Sequence, residues 1–416
     1  MHSLGDVPLY AVLPFALLLL AIAVMPLAAG HFWESNRSKG IVTAVVSAPI
    51  ALWLVLSHPE ALGHTLVEYL SFLALLGALF VISGGIHVSG DLEGRPSTNT
   101  MILGLGAVLA NLVGTTGASM LLIRLILRTN SQRKQRGHIP VFFILAVSNC
   151  GGLLTPLGDP PLFLGYLRGV PFAWTLGLWP VWLGSIAYLL ALFYVVDKRA
   201  YLRESGKDLA RDIVEKQPVR IEGGTNVLLL LGVVGAVFLD TPWREIAMVS
   251  LALASVQLGG KESRQKNAFT FGPIVEVAIL FAGIFVTMVP ALALLHDHGG
   301  ELGLNAPYQY FLVTGMLSSV LDNAPTYLTF LSAAQSLGLP AEIVGVPALY
   351  LAAISCGAVL MGANTYIGNG PNFMVKAIAD EAKYETPSFF GYAARATGIL
   401  APIYVALTAY FLWAAG

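Results

Sequence analysis

The chain has 416 residues, of which 56% are hydrophobic and 11% are charged, and its mean hydropathy is +0.73. A soluble domain carries about 25% charged residues, so the composition excludes one and predicts an all-α polytopic membrane protein that has the lipid bilayer as its partner. The net charge of −1 gives no electrostatic basis for binding nucleic acid. The two cysteines, Cys150 and Cys356, lie in apolar segments and indicate neither a disulfide framework nor a metal cluster.

Apolar windows long enough to cross a bilayer recur along the whole chain. The ten predicted spans are 8–28, 40–57, 67–89, 138–168, 172–196, 225–240, 244–258, 272–294, 343–376 and 388–414. Two further windows, 100–128 and 306–334, carry polar or helix-breaking residues at their centres, namely Gly114-Thr115-Thr116-Gly117 and Asp322-Asn323-Ala324-Pro325. Each of these two windows predicts a re-entrant helical hairpin whose tip stops inside the membrane.

The basic residues predict the orientation of these segments. Of the 23 lysines and arginines, 18 fall in loops on one side, whereas only Arg168 and Arg244 fall in loops on the other. The positive-inside rule makes the basic side cytoplasmic and places both termini outside. The first hairpin then opens toward the cytoplasm and the second toward the exterior.

Two predicted spans are interrupted by helix breakers and polar residues. The first interruption runs from Ser148 to Pro161 and contains Thr155, Gly158 and Asp159, and the second runs from Gly362 to Asn372. Non-helical backbone at membrane depth requires protein or water to satisfy its polar groups. Paired discontinuous helices are typical of the substrate site of a secondary transporter.

Similar features recur at a nearly constant spacing, which predicts an internal repeat within one integral membrane domain, 1–416. Glu68 aligns with Glu276 and the hairpin tips align at an offset of 208, whereas Asp159 aligns with Asn369 at 210. An odd number of predicted crossings separates the two copies, so the second is inverted. The first repeat is predicted at 67–196 and the second at 272–414.

These motifs make the chain resemble the ion transporter superfamily, which includes NhaD-type sodium/proton antiporters, citrate transporters and ArsB-type arsenite permeases. The resemblance rests on Thr-Pro-x-Gly-x-Pro-Pro at 155–161, on Thr-x-x-Gly-x-x-Pro-Asn at 365–372 and on the two hairpin tips. It implies a homodimer in a bacterial inner (plasma) membrane, with a transport core that moves against a scaffold. Dicarboxylate symporters of this superfamily carry Ser-Asn-Thr at both tips, and neither tip here has that triplet.

Two carboxylates stand out among the candidate site residues. Asp159 and Asp322 are predicted near the bilayer centre, where a carboxylate is expected to bind a cation or to carry a proton. Sodium prefers oxygen ligands, which unwound backbone carbonyls and polar side chains can supply. Asp159 and Asp322 are therefore the predicted sodium ligands. The full predicted ion- or substrate-binding set is Thr115, Thr116, Asn149, Thr155, Gly158, Asp159, Asp322, Asn323, Asn364, Thr365, Asn369 and Asn372.

The preferred functional prediction is cation/proton antiport, in which sodium and a proton compete for one carboxylate. A sodium- or proton-coupled transporter of citrate or a dicarboxylate is the main alternative, and arsenite efflux is a lesser one. Protease motifs and a nucleotide-binding loop do not occur in the sequence, so we expect no enzymatic activity and no cofactor beyond sodium and protons. An ion gradient would then supply the energy.

Overall fold

The computed structural model describes residues 7–205 and 218–416. The first half contains α1 (Leu13–Ala28), α2 (Asn36–Ser57), α3 (Pro59–Gly84), α4 (Pro96–Thr129), α5 (His138–Ala146), α6 (Pro160–Leu167) and α7 (Trp179–Tyr201). The second half contains α8 (Gly224–Ala236), α9 (Trp243–Leu258), α10 (Gly272–His298), α11 (Pro307–Ser318), α12 (Asn323–Gln335), α13 (Ala348–Met361), α14 (Gly370–Glu381) and α15 (Phe389–Ala414).

Short elements connect these helices. Two short α-helices lie at Gly30–Trp33 and Lys261–Lys266, and 3-10 turns lie at Leu9–Val12, Cys150–Leu154, Phe172–Leu178, Gly299–Leu302 and Gly362–Asn364. Strands β1 (His87–Ser89) and β2 (Arg220–Glu222) pair in antiparallel fashion, with Val88 opposite Ile221. The all-α prediction did not include this small sheet.

Helices occupy every predicted apolar window, and the fold is that of a polytopic helical membrane protein. Within the described residues, seven helical segments are long and apolar enough to cross a bilayer by themselves. They are 9–26, 36–57, 59–84, 96–129, 172–201, 272–302 and 389–414. By length and composition α4 therefore qualifies as a membrane span, although the sequence predicted a re-entrant hairpin there.

Local chemistry accounts for the largest shifts of helix boundaries. The predicted span 67–89 begins earlier, at Pro59, because proline is favoured in the first turn, where its missing N–H is not needed. The same helix ends at Gly84, and the chain continues into β1. The predicted span 343–376 becomes helical only at Ala348, directly after Pro347.

The helices pack into two groups. The flanking bundle consists of α1, α2, α3, α8, α9 and α10, which contact mainly one another. The site bundle consists of α4 to α7 and α11 to α15. The two bundles meet chiefly where α10 packs against α12 and where α3 packs against α4 and α6. Both strands lie in connections between the bundles, because β1 joins α3 to α4 and β2 lies between α7 and α8.

Candidate functional site

A sharp break in α4 lies beside the candidate site. Gly114 has φ 77° and ψ 157°, a backbone conformation that residues other than glycine rarely adopt. The next residue, Thr115, donates its backbone N–H to the carbonyl of Gly158 at 2.8 Å. The predicted tip of the first hairpin is therefore fixed to the first interruption at 148–161.

The two interruptions have equivalent backbone geometry. A Cβ atom on Gly158 would lie 2.2 Å from the carbonyl oxygen of Gly152. A Cβ atom on Gly368 would lie 2.6 Å from the carbonyl oxygen of Gly362, which is the same contact 210 residues later. Since backbone atoms cannot move aside as a flexible side chain can, only glycine fits at either close approach.

The Asp159 carboxylate lies where four separate segments meet. It accepts hydrogen bonds from Thr115 Oγ1 and Asn369 Nδ2 at Oδ1, both at 2.9 Å. It also accepts one from Asn323 Nδ2 at Oδ2, at 2.6 Å. All four residues are buried. Asp159 holds the N-cap position of α6, but its side chain makes no capping hydrogen bond and points into this cluster instead.

Asparagine side chains connect the two interruptions to each other. Asn149 Nδ2 donates to Asn372 Oδ1 at 2.6 Å, and Asn369 Nδ2 donates to Asn149 Oδ1 at 3.2 Å. Asn372 Nδ2 donates in turn to the carbonyl oxygens of Gly362 and Thr365, both at 2.9 Å. These amides satisfy non-helical backbone in a buried region, as such backbone requires.

The two predicted threonines make equivalent contacts. Thr155 Oγ1 donates to the carbonyl of Asn111 at 2.5 Å, and Thr365 Oγ1 donates to the carbonyl of Ser319 at 2.5 Å. Asn364 Nδ2 donates to Ser319 Oγ at 2.9 Å. Asn111 and Ser319 were not among the predicted site residues, although the repeat offset of 208 relates them and is the signal that could have identified the pair.

Asp322 occupies a different position from Asp159. Its Oδ1 accepts the backbone N–H of Ala324 at 2.9 Å and so caps α12. None of the hydrogen bonds of Asp159 comes from Asp322, although the two carboxylates are near enough to interact electrostatically. Thr116 is only partly buried beside Thr115.

The chemistry of the site is that of a buried acid among neutral groups. The side chains that bond to Asp159 in the described part of the chain are a hydroxyl and two amides, and none is basic. Asn323 Oδ1 is buried and has no hydrogen-bond partner among the described residues. No group of three or more His, Cys, Asp or Glu suited to a metal ion occurs within 7–205 and 218–416. The cluster therefore offers one negative charge and several neutral oxygens.

The protein has a polytopic helical fold, and its buried polar centre joins two discontinuous helices. These two features are typical of membrane transporters and assign the protein to that class. A sequence model of the family described as "Putative citrate transport" matches residues 4–412, so the chain belongs to that family. This match agrees with the resemblance to the ion transporter superfamily and its citrate transporters. No curated protein matches the chain.

Proposed function

We propose that this transporter is a cation/proton antiporter in which Asp159 binds sodium or a proton in turn. The observation that carries this proposal is the buried Asp159 carboxylate, whose hydrogen-bonding partners are all neutral. A charged group in a membrane interior costs about 2.5–3.5 kcal/mol or more, so such groups mark ion pathways. A bound sodium ion or a proton would remove that cost.

Rotation of the neighbouring amides would adapt the site to its two occupants. Asn323 and Asn369 present Nδ2 to the carboxylate, as an ionised acid without a cation requires. Rotation of either amide by half a turn would present Oδ1, which is a ligand for sodium and an acceptor for a protonated acid. Asn323 Oδ1 makes no other hydrogen bond among the described residues that such a rotation would break.

The same proposal includes two inverted repeats with re-entrant hairpins at 96–129 and 307–335. The equivalent contacts of Thr155 and Thr365, together with the matching approaches of Gly158 and Gly368, support it. Alternating access would follow from movement of the site bundle against the flanking bundle. In this proposal Asp322 caps α12 and adds negative charge near the ion, and the protein acts as a carrier and not as an enzyme.

Coupled transport of citrate or a dicarboxylate is the second candidate. Family membership favours it, as do the N-termini of α6 and α14, which begin at Pro160 and Gly370 next to the site. Helix N-termini and amide donors stabilise anions. In this candidate Asp159 binds the coupling cation, because an unneutralised carboxylate would repel a carboxylate substrate.

Proteoliposomes loaded with a pH-sensitive dye separate the two candidates. We expect a sodium pulse without any organic anion to move protons in the direction opposite to sodium. A response only after citrate or succinate is added would overturn antiport and support the second candidate. Liposomes without protein give the passive leak.

A further inference from the structure

Both arginines that the charge pattern places on the external side form ion pairs. Arg168 pairs with Glu68, and Arg244 pairs with Glu245, its neighbour in sequence. Both residues of the second pair belong to α9 of the flanking bundle, where Glu245 also accepts a hydrogen bond from Ser71 Oγ of α3. The Arg244 guanidinium also lies 6.0 Å from the ring centre of Tyr166 in the site bundle. The first pair differs, because Arg168 directly follows α6 in the site bundle whereas Glu68 belongs to α3 in the flanking bundle.

The Glu68–Arg168 pair makes one hydrogen bond and one further close ionic contact. Arg168 Nε lies 2.8 Å from Glu68 Oε1, and Arg168 Nη2 donates to Glu68 Oε2 at 2.8 Å. The side chains are 21% and 25% exposed, so water screens the charges only in part. Hydrogen bonds between two charged groups are roughly twice as strong as those between neutral groups. They also break when the partners shift by a few ångströms.

Further contacts across the same boundary surround this ion pair. The hydroxyl of Tyr166, near the end of α6, donates to the carbonyl of Val237 at the end of α8, at 2.9 Å. The rings of Phe172 and Phe238 lie 4.8 Å apart. The segment 166–172 of the site bundle is thus fixed to the flanking bundle by charge, hydrogen bonding and aromatic packing.

From this geometry we infer that Glu68 and Arg168 form a latch that closes the external entrance to the transport site. The inference rests on the proposed movement of one bundle against the other. Such movement cannot keep both 2.8 Å contacts between the bundles intact, so the pair forms in the externally closed state and opens in the externally open one. The ion pair therefore stabilises one of the two states.

The chain supplies a matched control pair. Glu276, which aligns with Glu68 at the offset of 208, pairs with Lys39 at 2.7 Å. Lys39 lies on α2 and Glu276 on α10, so this second pair lies wholly inside the flanking bundle. Transport should not require these two residues to separate.

Reversible cross-linking tests the latch through transport. We would compare Glu68→Cys/Arg168→Cys with Lys39→Cys/Glu276→Cys, using a bifunctional methanethiosulfonate with a spacer, since two long side chains separate the backbones. The native Cys150 and Cys356 are buried. Cross-linking should abolish transport in the first variant, reduction should restore it, and the control should stay active. Full transport by the cross-linked first variant would overturn the latch.

Thiol accessibility tests the latch without relying on transport. In a Thr116→Cys background, Glu68→Gln/Arg168→Gln should speed modification by a membrane-impermeant reagent added externally. The control Lys39→Gln/Glu276→Gln, which lies within one bundle, should not. The exchanged pair, Glu68→Arg/Arg168→Glu, should restore the parental rate. Equal rates in all variants would overturn the latch. A wild-type protein without any ion or anion flux, but with these rate differences, would instead contradict only the proposed function.

Discussion

The hydrogen bonds of Asp159 distinguish it from Asp322, the other predicted sodium ligand. Two aspartates were equal candidates in the sequence, yet their hydrogen bonds differ. Asp159 accepts three hydrogen bonds from side chains of both predicted repeats, whereas Asp322 caps its own helix through Ala324. The hydrogen bonds of Asp159 depend on how four segments are arranged, so Asp159 is the stronger candidate for the coupling site.

Replacing Asp159 by asparagine removes the charge and keeps the size of the side chain. We expect Asp159→Asn to weaken sodium binding by about 10- to 100-fold, as expected for losing charged interactions of about 1.5–3 kcal/mol, and to abolish coupled transport. Dye-loaded proteoliposomes give the transport rate. Asp322→Asn is the matched comparison, because asparagine also caps helices well and leaves α12 stable while removing the charge. A wild-type transport rate in Asp159→Asn would contradict the proposal that Asp159 forms the ion site.

The aligned residue Asn369 permits a relocation of the charge. Its amide lies 2.9 Å from Asp159, so Asp159→Asn/Asn369→Asp moves the carboxylate to the equivalent position in the second interruption. Because the surrounding amides can rotate, we expect the double variant to regain part of the sodium affinity that Asp159→Asn loses. Isothermal titration of each variant with sodium measures this. Equal affinity in the single and the double variant would show that the position of the charge matters as well as its presence.

Each of the two broken helices needs glycine at the point where two backbone segments lie in close contact. We expect Gly158→Ala to lower stability by about 1–3 kcal/mol, the usual cost of overpacking, because its Cβ would contact the carbonyl of Gly152. Gly368→Ala should behave similarly. Gly370→Ala is the control, since a Cβ there meets no atom within 4 Å. Thermal unfolding in detergent measures all three, and equal melting temperatures would contradict the close approaches.

Helix positions could be predicted from the sequence because apolar length is a strong local signal. The breaks could also be predicted, since Gly-, Pro- and Asn-rich runs inside apolar windows are rare and specific. The partners across the site could not, because Asn323 and Asp159 are 164 residues apart and nothing local specifies their contact. The same holds for Glu68 and Arg168, which lie 100 residues apart. Asn111 was missed because it looks like an ordinary polar residue within a helix.

In the molecule as a whole, two polar contacts lie where separate parts of the protein meet. Apolar packing stabilises each bundle, whereas the Asp159 cluster joins the two predicted repeats and the Glu68–Arg168 pair joins the two bundles. Inside a membrane, packing and polar contacts replace the hydrophobic effect as the source of helix association. A carrier that moves one bundle against the other would have to break the Glu68–Arg168 pair and could leave the Asp159 cluster and the packing within each bundle unchanged.

Calorimetric titration of the purified protein with sodium, repeated in buffers of different ionisation heat, tests the claim that sodium and a proton compete for Asp159. If sodium and a proton share Asp159, sodium binding releases protons, so the observed heat depends on the buffer, and Asp159→Asn abolishes this dependence. Sodium binding with the same heat in every buffer, or with unchanged proton release in Asp159→Asn, would contradict the claim.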